Sequence, residues 1–127
     1  MSTQIINCTP HPVIVLAESN VVFDKPTRSF RLNKGGQPIV MRTFVPSGVC
    51  PRCSQQEEEC EAIDGIDVWH MSYGAVDNLP DPKSGVVYIV SQLVAAACPE
   101  RHDLVVPAHI VRGAAGQVIG CLGFGRI

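Results

Sequence analysis

The chain lacks most of the features that would assign it quickly. No apolar run approaches the roughly 20 residues of a membrane-spanning helix, so no membrane partner is expected. Charge is sparse: Asp, Glu, Lys and Arg make up 17% of 127 residues, with a formal net charge of -2. A basic face for polymeric nucleic acid is therefore not expected. A few arginines in a pocket still suffice for one phosphorylated small molecule. The opening "MSTQIINCTPHPVIVL" lacks the basic start and small-residue cleavage site of a secretory signal, so a cytoplasmic location is expected. There is no GxSxG, no HExxH and no paired-carboxylate constellation, and the chain is read as non-catalytic. There is no GxxxxGK[ST] loop. The glycines at 120, 123 and 125 end a strand rather than open a helix, which excludes a dinucleotide fingerprint. No repeat, low-complexity tract or domain boundary is visible, so one domain over residues 1–127 is expected.

What is present reads as a sheet protein. Apolar residues reach 46%, a composition that supports a packed core. Short apolar stretches, "QIINCT", "VIVLA", "VVFD", "SFRL", "IVMRTFV", "DVWHMSYG", "VVYIV", "DLVVP", "HIVRG" and "QVIGCLGF", alternate with turns such as "NKGGQP" and "LPDPKSG". "SQLVAAAC" is the best helix, with Ser91 as N-cap and Pro99 as its stop. The expected fold is mostly β (α+β): a compact antiparallel or mixed β core with one or two short helices. The apolar, glycine-rich end "VIGCLGFGRI" is a strand that can add to a neighbour's sheet, or an internal edge strand covered by a loop.

Three kinds of chemistry compete. "CPRCSQQEEEC" offers Cys50, Cys53 and Cys60, with His70 as a fourth ligand, for a structural zinc. There is no second CxxC. The alternatives are a hairpin whose cysteines face one side and whose Glu57, Glu58 and Glu59 form a solvated face, and, as a minor option, a disulfide. Cys8, Cys98 and Cys121 stand singly in apolar segments and read as small core residues. Acid–base chemistry would need a nucleophile or metal beside a histidine such as His11, and none is evident. Anion binding has more material. Arg28, Arg31, Arg42, Arg101 and Arg112 lie beside turns, and Arg112 precedes "GAAG", where glycines let backbone N–H groups approach a ligand. Tyr88, Phe44, Phe124 and Trp69 are candidates to stack on a base. The plainer reading is that each arginine pairs with a nearby acid, as Arg101 would with Glu100 or Asp103.

Three segments together carry a resemblance: "IINCTPHPV", "GVVYIVSQLVAAACPERHDLVVP" and "IVRGAAGQVIGCLGF". Over about half its length the chain resembles the first described class of phage anti-Thoeris proteins, sponges that sequester cyclic ADP-ribose signals. The resemblance implies a β-rich core, a C-terminal β element exchanged between protomers, and self-association from dimer to hexamer. It implies release of the signal intact, with no catalysis. No cofactor is expected apart from the zinc alternative. The competing readings are a cyclic-nucleotide-cleaving enzyme and a protein-interaction module with no small ligand. Related sponges also hold cyclic oligonucleotides at a second site. Carried onto this chain, it points to Arg112 for phosphate, joined by Arg28 in preference to Arg31. It places Tyr88 beneath a base and Ser91 and Gln92 at a helix start that favours an anion. It matches Asn7, Thr9 and His11 to the family's opening motif, as ligand contacts or, in preference, as loop anchors. Apart from the resemblance, the charged turn "PERHD" is expected to fix the strand–helix–strand unit through local pairs, and to set Arg101, with Asp103, at a protomer interface or a second nucleotide pocket. "CPRCSQQEEEC" is not part of the resemblance, so a zinc there would be private to this chain.

Overall fold

The turn residues that divide the apolar stretches cut the chain into short strands, and a computed structural model describes residues 3–127. In chain order the strands are β1 (Gln4–Asn7), β2 (Val13–Leu16), β3 (Val21–Asp24), β4 (Ser29–Leu32), β5 (Val40–Phe44), β6 (Arg52–Glu59), β7 (Trp69–Asp77) and β8 (Val86–Ile89). A single helix, α1 (Gln92–Ala97), is followed by β9 (Leu104–Arg112) and β10 (Val118–Gly125). The mostly β expectation holds, with one helix. "DLVVP" and "HIVRG", read as two strands, are one continuous β9. No helix among the described residues is long and apolar enough to cross a membrane.

Eight strands form one mixed sheet in the order β1-β8-β9-β10-β2-β5, with β4 pairing β9 and β3 pairing β4. β9 organises it. Its first residues pair in parallel with β8, its length pairs antiparallel with β10, and its end pairs in parallel with β4. β10 lies between β9 and β2. Both of its edges are thus taken within this chain, and the C-terminal strand is interior rather than a covered edge. Gly120 makes that position possible. A Cβ there would sit 2.8 Å from both the Ile14 carbonyl oxygen and Leu16 Cγ, closer than carbon tolerates.

The core has two parts. Tyr88, Val90, Val94, Leu104 and Val106 pack with Cys8 and Cys98 beneath α1. Ile89, Val105, Phe44 and Cys121 pack on the other side. The continuous run "VVYIV" therefore has both faces covered, as such runs do. Ser91 caps α1 by accepting from the Val94 N–H at 3.3 Å. Burial pushes the thiols of Cys8, Cys98 and Cys121 up from their ordinary pKa, as expected for cysteines that serve as packing.

β6 and β7 stand apart as a two-stranded antiparallel hairpin. Its tip, Ile63–Ile66, turns through Asp64 and Gly65, both at positive φ. The alternation in "WHMSYG" puts Trp69, Met71 and Tyr73 on one face, about half exposed at 50%, 47% and 51%.

Candidate functional site: an arginine pair at the end of the β4–β9 ladder

The parallel register of β4 and β9 sets Phe30 beside Val111 and Arg31 beside Arg112. Side chains opposite each other in a ladder share a face, so the two arginine side chains leave the sheet on the same side. Both are oriented by the turn that follows β9. Arg112 Nη1 donates to the Gly116 carbonyl at 2.9 Å, and Arg31 Nη1 reaches the Gly113 carbonyl at 3.5 Å. Arg31 Nε donates to Ser29 Oγ at 3.2 Å and to Thr27 Oγ1 at 3.4 Å. Gly116, at φ +83°, closes the turn in a conformation that side chains disfavour. The nearest acid along β3, Asp24, is engaged by the amide and hydroxyl of Thr27. Among the described residues the one ion pair is Arg101–Asp103. Arg31 and Arg112 thus place two like charges on neighbouring strands without a carboxylate between them. Like charges opposite in a ladder oppose each other. A bound anion removes that cost, and paired guanidinium forks suit phosphate.

The partner of Arg112 in the ladder is therefore Arg31, not Arg28. Arg28 sits in the β3–β4 turn with φ +53°, three residues earlier, and its N–H donates to the Lys25 carbonyl. The choice between them depends on a register between strands some eighty residues apart in sequence, which no local pattern encodes.

The other sequence-derived positions lie elsewhere. Tyr88 is a core residue, 2% exposed, with its hydroxyl donating to the Asp81 carbonyl at 3.1 Å. Its ring offers no face to a base, and the unbroken apolar run around it was the available signal. Phe44 is also buried, with Phe124 at a ring separation of 5.9 Å and the Arg42 guanidinium 4.5 Å above it. Trp69 is on the hairpin, in a different sheet from the arginine pair. Ser91 spends its hydroxyl on capping, and α1 has six residues, too short for its dipole to hold an anion unaided. Gln92 is exposed at its first turn.

Arg101 and Asp103 are committed to each other. Nε and Nη2 of Arg101 each meet one Asp103 carboxylate oxygen at 2.8 Å, and Nη2 also donates to the Pro80 carbonyl at 2.8 Å. This hydrogen bonding holds the Arg101 pKa above and the Asp103 pKa below their ordinary values. The pair pins the "LPDP" loop to the start of β9, beside the bond from Tyr88 to that loop. The charged turn "PERHD" is a strap, and Arg101 has no free fork for a ligand.

Asn7 anchors the opening loop. Its Nδ2 donates to the carbonyls of His11 and Phe44, both at 2.8 Å. Its Oδ1 accepts from the Thr9 N–H at 2.9 Å and the Thr9 hydroxyl at 2.6 Å. The Thr9 hydroxyl also approaches the His11 carbonyl at 3.0 Å. The side-chain amide is thereby fully satisfied, which joins the end of β1 to the end of β5.

The four-residue zinc set is not assembled. Cys53 and Cys60 are seven residues apart along an extended stretch, about 23 Å at ~3.3 Å per residue, far beyond one tetrahedral site. His70 pairs opposite Glu58 near the Cys60 end. The segment does form the hairpin of the alternative reading, although consecutive strand residues such as Glu57, Glu58 and Glu59 alternate between its faces. Cys8, Cys50 and Cys53 do line one cavity beside Ser91 and Val94, yet no group of three or more His, Cys, Asp or Glu among the described residues has metal-holding geometry.

No protein-family model, no curated protein and no solved structure matches the chain.

Proposed function

We propose that the protein binds and sequesters a phosphorylated nucleotide signal without cleaving it. The observation that carries this reading is the Arg31–Arg112 pair: two arginines opposite each other in the ladder, both hydrogen-bonded to the glycine turn and neither in an ion pair among the described residues. Phosphate oxygens are the ligand such forks accept best. The resemblance to anti-Thoeris sponges supports a cyclic ADP-ribose isomer as that signal, with cyclic oligonucleotides as further ligands. In this reading the protein suppresses anti-phage defence in the cytoplasm of the host cell, needs no cofactor, and releases the signal intact. Self-association from dimer to hexamer belongs to the same reading. The exposed Trp69, Met71 and Tyr73 row supports it, because a lone two-stranded hairpin is marginal in water. Exchange of the C-terminal β element between protomers is part of the resemblance.

The test incubates purified protein with cyclic ADP-ribose isomers and cyclic di- and trinucleotides, removes the unbound fraction and heats the complex. Mass spectrometry then identifies what is released. An unchanged panel member, retained by the native protein and lost in Arg31→Ala and Arg112→Ala, is the expected result. A product of altered mass would make the protein an enzyme. Retention of nothing would sink the sequestration reading.

A further inference from the structure

Phe30 and Arg31 are neighbours on β4 and so point to opposite faces of the sheet. On the Phe30 face lies a cavity of about 310 Å3, lined by Glu18, Val21, Phe23, Phe30, His109 and Leu122. Three rings build it. Phe30 meets Phe23 at 5.2 Å between centroids with planes at 67°, and meets His109 at 4.9 Å with planes at 86°. Steeply inclined rings make a corner rather than a slot. A flat base needs a slot between parallel faces, whereas a compact cation can touch several rings of a corner at once. Glu18 contributes the only carboxylate of the lining, and it has no basic partner, since the single ion pair among the described residues is Arg101–Asp103.

His109 gives the second indication. It is held at φ +55° within β9, a left-handed conformation that is unusual inside a strand. Such strain persists only where the surroundings enforce it, and it gathers at binding sites. Here it accompanies the edge-on contact of the imidazole with Phe30. Phe23 stands 52% exposed in the free protein, a large ring left half in water at the rim.

We propose that this corner binds an organic cation, an alkylammonium or guanidinium group. The ring faces of Phe23, Phe30 and His109 supply the π attraction and Glu18 supplies the counter-charge. The site is independent of the arginine pair on the opposite face, and its chemistry is of the opposite sign.

The test is an NMR titration of the full chain with tetramethylammonium chloride, against sodium chloride at equal ionic strength. The expected result is saturable shifts confined to Glu18, Phe23, Phe30, His109 and Leu122. Glu18→Gln and Phe23→Ala should each weaken binding by about fivefold or more; both side chains are at the surface, so the fold is retained. His109→Gly relieves the backbone strain, so it should lose binding with no fall in Tm, a combination that a purely structural histidine would not give. Nα-acetyl-lysine methylamide binding more tightly than tetramethylammonium would assign the cation to a partner's side chain. The reverse order would assign it to a free small cation, and both orders uphold the site. Shifts no larger than those with sodium chloride, or binding indifferent to Glu18→Gln, would overturn it. So would adenosine saturating the corner where tetramethylammonium does not.

Discussion

The eight-stranded sheet and the β6–β7 hairpin are built from the same kind of local pattern and reach opposite ends of the burial scale. In the sheet, Ile89 and Val111 are fully buried, and β9 and β10 each have partner strands on both sides. In the hairpin, Trp69, Met71 and Tyr73 alternate as cleanly as any core strand, yet half of each side chain faces water. Only the base of the hairpin is supported: Val76 packs against the cluster beneath α1. Alternation is thus a statement about which side chains share a face. Whether that face is covered depends on what else folds back over it, and among the described residues Trp69, Met71 and Tyr73 stay about half exposed.

The contrast can be broken most sharply by truncation. Ile89→Ala should cost about 2–5 kcal/mol of unfolding free energy in urea. Met71→Ala in the hairpin should stay within about 0.5 kcal/mol in a monomer; a loss as large as that of Ile89→Ala would show that the hairpin is covered in solution. Next in size is the link between the two halves of the core. Asn7→Ala removes the acceptor and donors that join β1 to β5 and leaves the buried Phe44 carbonyl without that partner, at about 1–3 kcal/mol. Gly120→Ala should cost a similar ~1–3 kcal/mol by forcing β2 away from β10; a neutral result would mean that the two strands can separate freely.

The smallest effect is acid sensitivity. Asp103 is held below its ordinary carboxylate pKa by Arg101. A depressed folded pKa gives stability that is present above the unfolded value, about 3.9, and is lost as pH falls through the lower folded value. Unfolding free energy should therefore drop below about pH 4. Asp103→Asn should be less stable at neutral pH and show a shallower acid limb. Equal slopes for the two proteins would show that the strap does not contribute.

Much of the architecture was readable locally. Ser91 and Pro99 bracket α1 because capping and proline chemistry act within one turn. The strands at Val86–Ile89 and Val40–Phe44 follow from short apolar runs between turn residues. β6 was harder. "SQQEEE" carries no apolar alternation, and its strand state comes from pairing with Trp69–Tyr73. Cysteine spacing alone suggested a metal knuckle there, but an extended strand separates Cys53 from Cys60. The site divided in the same way. Arg112 stood out beside its glycine turn, but its neighbour is fixed by a parallel pairing between distant strands. Arg31 lies beside a turn just as Arg28 does, and nothing local prefers it. Tyr88 shows the opposite case: its unbroken apolar context already signalled a strand covered on both faces.

The arginine pair can be tested most directly by calorimetric titration of pyrophosphate into the wild type and into Arg31→Ala, Arg112→Ala and Arg28→Ala. If Arg31 and Arg112 form one anion site, each of their variants loses about tenfold or more in affinity, Arg28→Ala stays near the wild type, and all four unfold at similar urea concentrations. Binding that survives in Arg31→Ala and Arg112→Ala, or that falls as far in Arg28→Ala, would contradict the site.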